Sequence, residues 1–286
     1  MTSTQKIVLV LVLLLSAWGV SHLVQYLHGE WYAARFPADY YDNPDARIEV
    51  ACPAQKDAIV IVAFGQSNSA NYVQYRAVDT TDSVYNFAAG KCYLAKDPLL
   101  GADGDRGSLW IKLAQKMAKK SHKKVVIQSF GVGNTSITQW ADEKGLGYLL
   151  FYNLSALKPV YQNVDYFFWV QGETDVGMTP EIYRQNLLKI ISTTKRFYPT
   201  SLFALSSTTY CFGKSNTDIA AIQKNIRNVV PSVIWLGDTD QFNSAQYRWD
   251  DCHLTLQGVD AVGAEFSQHL LPTERKNLPI SNCCAE

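Results

Sequence analysis

The chain has no charge imbalance: 26 Lys and Arg face 26 Asp and Glu over 286 residues. With no net field, nothing draws it to nucleic acid or to an anionic membrane surface. One local basic cluster, Lys119, Lys120, His122, Lys123 and Lys124, falls near an expected helix end, where cations offset the helix dipole. Paired C-x-x-C spacing is missing too, so the six cysteines do not read as a zinc site. There is no internal repeat and no low-complexity segment, which argues against a solenoid or a biased linker array. Charged residues make up only 18% against 47% apolar, the balance of a folded globular chain rather than a disordered one.

Charge is absent in one further place. Residues 7–27 carry none unless His22 is protonated, and Lys6 precedes the run. About 20 such residues cross a bilayer as a helix. A buried core helix fits poorly, because residues 7–15 are apolar on every face. A cleaved signal peptide competes, since Ala17 and Gly19 offer small residues at a cleavage-like spacing. The apolar character continues through Val20, Leu23 and Val24, which favours a transmembrane anchor. Either way the rest of the chain is expected outside the cytoplasm, membrane-anchored or, if the segment is cleaved, secreted or periplasmic. The expected organisation is a membrane or signal segment over 1–28, a linker over 29–56, one domain over 57–272 and a tail over 273–286. Cys52, Cys92, Cys211 and Cys252 lie in the body, with Cys283 and Cys284 in the tail. They fit an oxidising compartment. Their pairing is left open, free buried thiols being the alternative.

What the body does contain is alternation. Short apolar runs at 58–64, 125–130, 164–170, 202–206 and 233–236 have the length and β-branched or aromatic content of strands buried on both faces. Helical stripes lie between them: Leu109, Leu113 and Met117; Tyr183, Leu187 and Ile191; Ile219, Ile222, Ile226 and Val229; Val259, Val262, Phe266 and Leu270. Thr179 and Pro180 mark the start of the second. This pattern predicts an α/β fold, a three-layer α/β/α sandwich around a parallel, flavodoxin-like sheet. Residues 71–106 break the rhythm, too long for an ordinary connection. They are read either as one wall of a ligand site or as a packed surface insertion.

Four segments carry candidate chemistry. Gly65-Gln66-Ser67-Asn68 follows the first strand, at the sheet edge where open α/β folds place their sites, although these residue types also make plain turns. A serine hydroxyl needs a base within reach, and Asp250-Asp251-Cys252-His253 offers one three residues from a carboxylate. The bland reading of those aspartates is a helix cap near Leu254. Gln171-Gly172-Glu173-Thr174-Asp175 ends another strand and suits either an oxyanion donor or a solvated loop. Gly107 is expected at the start of a helix, where a backbone N–H suits an anion.

In this order the segments resemble the SGNH/GDSL hydrolases, in their sialate O-acetylesterase-like and acetylxylan-esterase-like branch. Gly65 to Asn68 is similar to the branch's first block, Trp169 to Asp175 to its W-x-Q-G-E-x-D block, and Asp250 to His253 to its closing D-x-x-H. Asp97-Pro98-Leu99, Gly107-Ser108-Leu109 and the Gly133-Asn134-Thr135-Ser136-Ile137 run with Trp140 also fall where the branch has similar segments. The resemblance implies Ser67 as nucleophile, His253 as base and Asp250 as orienting acid. It implies an oxyanion hole from the N–H groups of Ser67 and Gly107 and the side chain of Gln171. Asn68, Asn134 and Glu173 are candidates for substrate contact or, for Glu173, for an alternative orienting acid. No metal or cofactor is implied. Ser69 stands where the branch often has methionine.

The expected activity is removal of O-acetyl groups from carbohydrate through an acyl-enzyme. The expected partners are an acetylated glycan and, through residues 7–27, a membrane, with no nucleic acid. An O-acetyltransferase using the same serine and a silent, tethered glycan-binding protein are the alternatives. Nucleotide binding at 131–136 is disfavoured, because Ser136 stands where a third glycine belongs.

Overall fold

The strand β2 (Ala58–Gly65) sends Val60, Val62 and Phe64 into one hydrophobic cluster and Ile59, Ile61 and Ala63 into another. Successive side chains of a strand face opposite ways, so a strand apolar at every position needs cover on both faces. That requirement sets the layers. The computed structural model describes residues 47–270, together with Gln5. Its eight strands form one sheet. In chain order the others are β1 (Glu49–Val50), β3 (Val84–Ala88), β4 (Lys91–Leu94), β5 (Lys124–Ser129), β6 (Tyr166–Val170), β7 (Leu202–Ser207) and β8 (Val233–Asp238). Their order across the sheet is β1-β4-β3-β5-β2-β6-β7-β8.

Two helices, α1 (Trp110–Ser121) and α6 (Leu256–His269), cover one face. Four cover the other: α2 (Ile137–Ala141), α3 (Leu146–Leu157), α4 (Pro180–Phe197) and α5 (Thr217–Asn225). The three expected layers are therefore present, and each expected strand forms within two residues of its expected bounds.

The sheet is mostly parallel rather than wholly so. β4 runs antiparallel to β3 and to β1, because a two-residue loop, Ala89 and Gly90, reverses the chain. Both loop residues have positive φ, the geometry that matches the twist of paired strands. The long 71–106 stretch thus contains a hairpin that widens the sheet beside β5. Residues 49–50, expected in a linker, are its edge strand. Disulfides join Cys52 to Cys92 and Cys211 to Cys252, which replaces the free-thiol alternative for these four. Cys283, Cys284 and the apolar run at 7–27 lie outside the described residues, among which no helix is long and apolar enough to cross a membrane.

Candidate active site

Taken in chain order, the strands β2, β5, β6, β7 and β8 are arranged second-first-third-fourth-fifth. The direction of winding reverses between β2 and β6, so a crevice opens at their C-terminal ends. Ser67 leaves β2 there, in a 3-10 turn over Ser67–Ser69. Gly65 makes the exit: its φ is +135°, and a Cβ would meet the Val170 carbonyl oxygen of β6 at 2.2 Å. No side chain fits that crossing. The turn is pinned by the Trp110 indole, which donates to the Ser69 carbonyl at 2.7 Å. Ser67 opens the turn, and the first donors of a helical turn have no acceptor inside it.

The histidine loop lies between β8 and α6. Asp250 Oδ2 is 2.7 Å from His253 Nδ1, and Asp250 Oδ1 accepts the N–H groups of His253 at 2.7 Å and Cys252 at 3.1 Å. One carboxylate thus fixes both the ring and the backbone that carries it. Burial pushes Asp250 up, but these donors outweigh it and leave the carboxyl below its usual range. Asp251 turns outward at φ +65° and accepts the Tyr210 hydroxyl at 2.5 Å. The buried Arg248 ties the loop down, donating to the carbonyls of Thr239 at 3.0 Å, Phe242 at 2.9 Å and Cys252.

Asn68 joins the two loops. Its Nδ2 donates to the Cys252 carbonyl at 3.3 Å and to Glu173 Oε1 at 2.7 Å. Ser67 and His253 are thus brought to neighbouring loops, although among the described residues no hydrogen bond joins them directly. Glu173 is not bonded to His253. Burial pushes its carboxyl up to about 7, with the Asn68 amide, its own backbone N–H and then the Arg248 charge pulling the other way.

Two candidate residues, Gln171 and Gly107, sit differently from the expectation. Gln171 is fully buried, and its Nε2 donates to Asp175 Oδ2 at 2.5 Å, the Thr135 carbonyl at 3.1 Å and Gln66 Oε1 at 3.3 Å. Gly107 does not begin a helix, since α1 starts at Trp110, and its N–H donates to the Val73 carbonyl at 3.0 Å. Its glycine identity has another cause: a Cβ would sit 1.7 Å from the Tyr75 carbonyl oxygen. Asn134 is exposed at positive φ in the loop after β5.

Sequence reasoning did not single out Tyr72, Trp249 or Arg248. The rings of Tyr72 and Trp249 stack against His253 with centroids at 5.1 and 6.2 Å. A D-x-x-H search reads only the acid and base, whereas the W-x-x-x-H spacing that places Trp249 beside the ring was legible. Among the described residues no cluster of three or more His, Cys, Asp or Glu side chains stands close enough to hold a metal ion.

A family model for carbohydrate esterases, sialic acid-specific acetylesterase, matches residues 57–272. No curated protein sequence matches the chain. Among solved structures, a protein of Arabidopsis thaliana superposes with a TM-score of 0.63 at 16% identity, covering 76% of this chain and 97% of that one. A GDSL-like protein of Parabacteroides merdae gives 0.54 at 14%, covering 76% and 97%. A carbohydrate acetylesterase of Xanthomonas citri gives 0.50 at 17%, covering 74% of this chain and 56% of that one. At these identities the superpositions speak for the fold.

Proposed function

The chain belongs to the carbohydrate esterases of the sialic acid-specific acetylesterase family and is a carboxylic ester hydrolase, and we propose that it removes O-acetyl groups from glycans through Ser67, His253 and Asp250. The observation that carries this reading is the 2.7 Å contact between Asp250 Oδ2 and His253 Nδ1, in a loop tied through Asn68 to the serine turn. With Nδ1 turned to Asp250, Nε2 is left to take the serine proton. Ser67 Oγ attacks the acetyl carbonyl as its proton passes to His253. The tetrahedral intermediate collapses, the sugar oxygen leaves with that proton, and acetate remains esterified to Ser67. Water, deprotonated by His253, then releases acetate and restores the serine.

For the oxyanion we propose the N–H of Ser67 as the main donor. Gln171 and Gly107 have their donors committed inside the protein and act by bracing the edge. The two disulfides support a site of action outside the cytoplasm. The test is acetate release by the full-length, disulfide-intact protein from a panel of O-acetylated sugars. Ser67→Ala is expected to lower kcat by at least ~10³-fold with circular dichroism unchanged. Near-normal turnover in that variant, or transfer of acetyl to a sugar with no free acetate, defeats the proposal.

A further inference from the structure

We infer that Tyr72 is a positioning residue for the base: its ring lies flat on the imidazole of His253 and favours the protonated form. The inference rests on the reading of His253 as the group that takes the proton of Ser67. The observation behind it is the stack itself, with ring centroids 5.1 Å apart and planes inclined by 23°.

An aromatic face attracts a cation within about 6 Å of its centroid. Tyr72 meets that limit, while Trp249 lies outside it at 6.2 Å. The face of Trp249 is also engaged elsewhere, by the Arg106 guanidinium at 4.5 Å. Trp249 supports the arrangement in another way. Its indole donates to the Tyr72 carbonyl at 3.3 Å, and its own N–H donates to the His253 carbonyl at 2.9 Å, so it links the two stacked residues.

Tyr72 is also held at its far end. Its hydroxyl donates to Asp103 Oδ2 at 2.9 Å, and Asp103 accepts the N–H of Gly133 at 2.9 Å on the same oxygen and that of Gly104 at 2.9 Å on the other. Burial, then the charge and hydrogen bond of Asp103, hold the phenol above its ordinary range, so it stays a neutral donor. A carboxylate at the hydroxyl enriches the ring in electron density, which strengthens its attraction for a cation. Gly133 leaves the room this needs, since a Cβ there would lie 2.7 Å from the Tyr72 hydroxyl oxygen.

The charged and titratable groups around the imidazole come from three directions. Asp250, Asp251 and Arg248 share its loop, Glu173 is linked to the Cys252 carbonyl of that loop through Asn68, and Asp103 and Arg106 stand behind Tyr72 and Trp249. All of them remain in a variant changed only at Tyr72. A change in the titration of His253 therefore reports the ring.

The experiment is an NMR titration of the histidine ring protons in the full chain, with the His253 signal assigned by its loss in His253→Asn. Tyr72→Leu is expected to lower the His253 midpoint by about half a unit to one unit, because the cation loses its partner. Tyr72→Phe, which keeps the face, is expected to retain most of the wild-type midpoint. The acid limb of kcat/KM moves to lower pH in parallel, while a merely structural lesion lowers activity at every pH and leaves the limb in place. Tyr72→Met serves as a second aliphatic variant if leucine does not fold. An unchanged His253 midpoint in the aliphatic variant overturns the inference. A wild-type chain that releases no acetate would instead strike the functional reading, while the titration still decides the stack.

Discussion

Two acid-bearing loops meet at the crevice and treat their carboxyls in opposite ways. Asp250, partly exposed, is surrounded by donors: two backbone N–H groups and the His253 ring. Glu173 is 5% exposed and has one side-chain donor, Asn68, with its Oε2 unpartnered. The first acid is held ionised and the second is pushed toward neutrality. Depth sets the penalty and donors offset it: deep burial outweighs the donors of Glu173, whereas the donors of the shallower Asp250 outweigh its burial. An acid that must orient a base and steady an imidazolium needs to be ionised, and Asp250 meets that need. Glu173 is suited to a different task, holding Asn68 across the gap between the serine and histidine loops.

The largest effect expected from breaking this difference is at Asp250. Asp250→Asn removes the charge that faces His253 Nδ1 and allows the wrong tautomer, so kcat should fall by up to ~10⁴. Asp251→Asn, whose partner is the Tyr210 hydroxyl, is the control and should stay within a few-fold of wild type. Steady-state kinetics at several pH values, with circular dichroism to check the fold, measure both. A half-active Asp250→Asn beside a dead Glu173→Gln would reverse the roles of the two acids.

The same contrast explains how much was legible in the sequence. Five of the six parallel-paired strands, β2, β5, β6, β7 and β8, announce themselves because burial on both faces demands continuous apolar runs, as at 58–64. The hairpin of β3 and β4 does not. Its Ala89-Gly90 loop lacks the Asn-Gly or Asp-Gly signal, and its strands carry Asn86 and Lys91 among apolar residues. The helix α3 hides for a related reason: Phe151 and Tyr152 are exposed, so no single apolar stripe stands out. A signal for α2 was present in Ser136-x-x-Gln139, whose glutamine oxygen accepts the Ser136 N–H at 2.8 Å. At the site, Asp250 and His253 are legible because three residues and one tight turn join them. Tyr72 and Gln171 depend on contacts across 181 and 36 residues of chain, which no local pattern encodes.

Gln171 tests whether the β6 loop is scaffold or chemistry. Its amide satisfies Thr135 and Asp175, and its oxygen accepts the Tyr183 hydroxyl at 3.2 Å. Gln171→Ala should leave these buried groups short of partners and open a cavity, costing about 2–4 kcal/mol of stability. As a brace it should lower kcat by less than ~10-fold once the variant is folded. An oxyanion donor would instead cost ~10²–10³ in kcat. Urea unfolding and kinetics on the same preparation separate the two outcomes.

The smallest effect, and the most direct probe of the contrast, is the pH dependence of Glu173→Gln. An unfolded glutamate titrates near ~4.3, whereas the folded Glu173 is pushed up to about 7 by burial. Between those values the native state keeps a proton that the unfolded chain has released. Raising the pH through that window therefore favours unfolding, and the cost is complete above about 7. Glutamine keeps an acceptor for Asn68 and has no proton to lose. The variant should match wild type near pH ~4 and become more stable than it by about 1–3 kcal/mol at pH ~8. Asp250 has the opposite slope, since a depressed carboxyl stabilises above its unfolded pKa and loses that contribution as acid protonates it. It is present in both proteins, so the difference between their urea midpoints across pH isolates Glu173. A flat difference would mean that Arg248 keeps Glu173 ionised in the folded state. The two loops would then hold their acids alike, and Glu173 would regain its claim on His253.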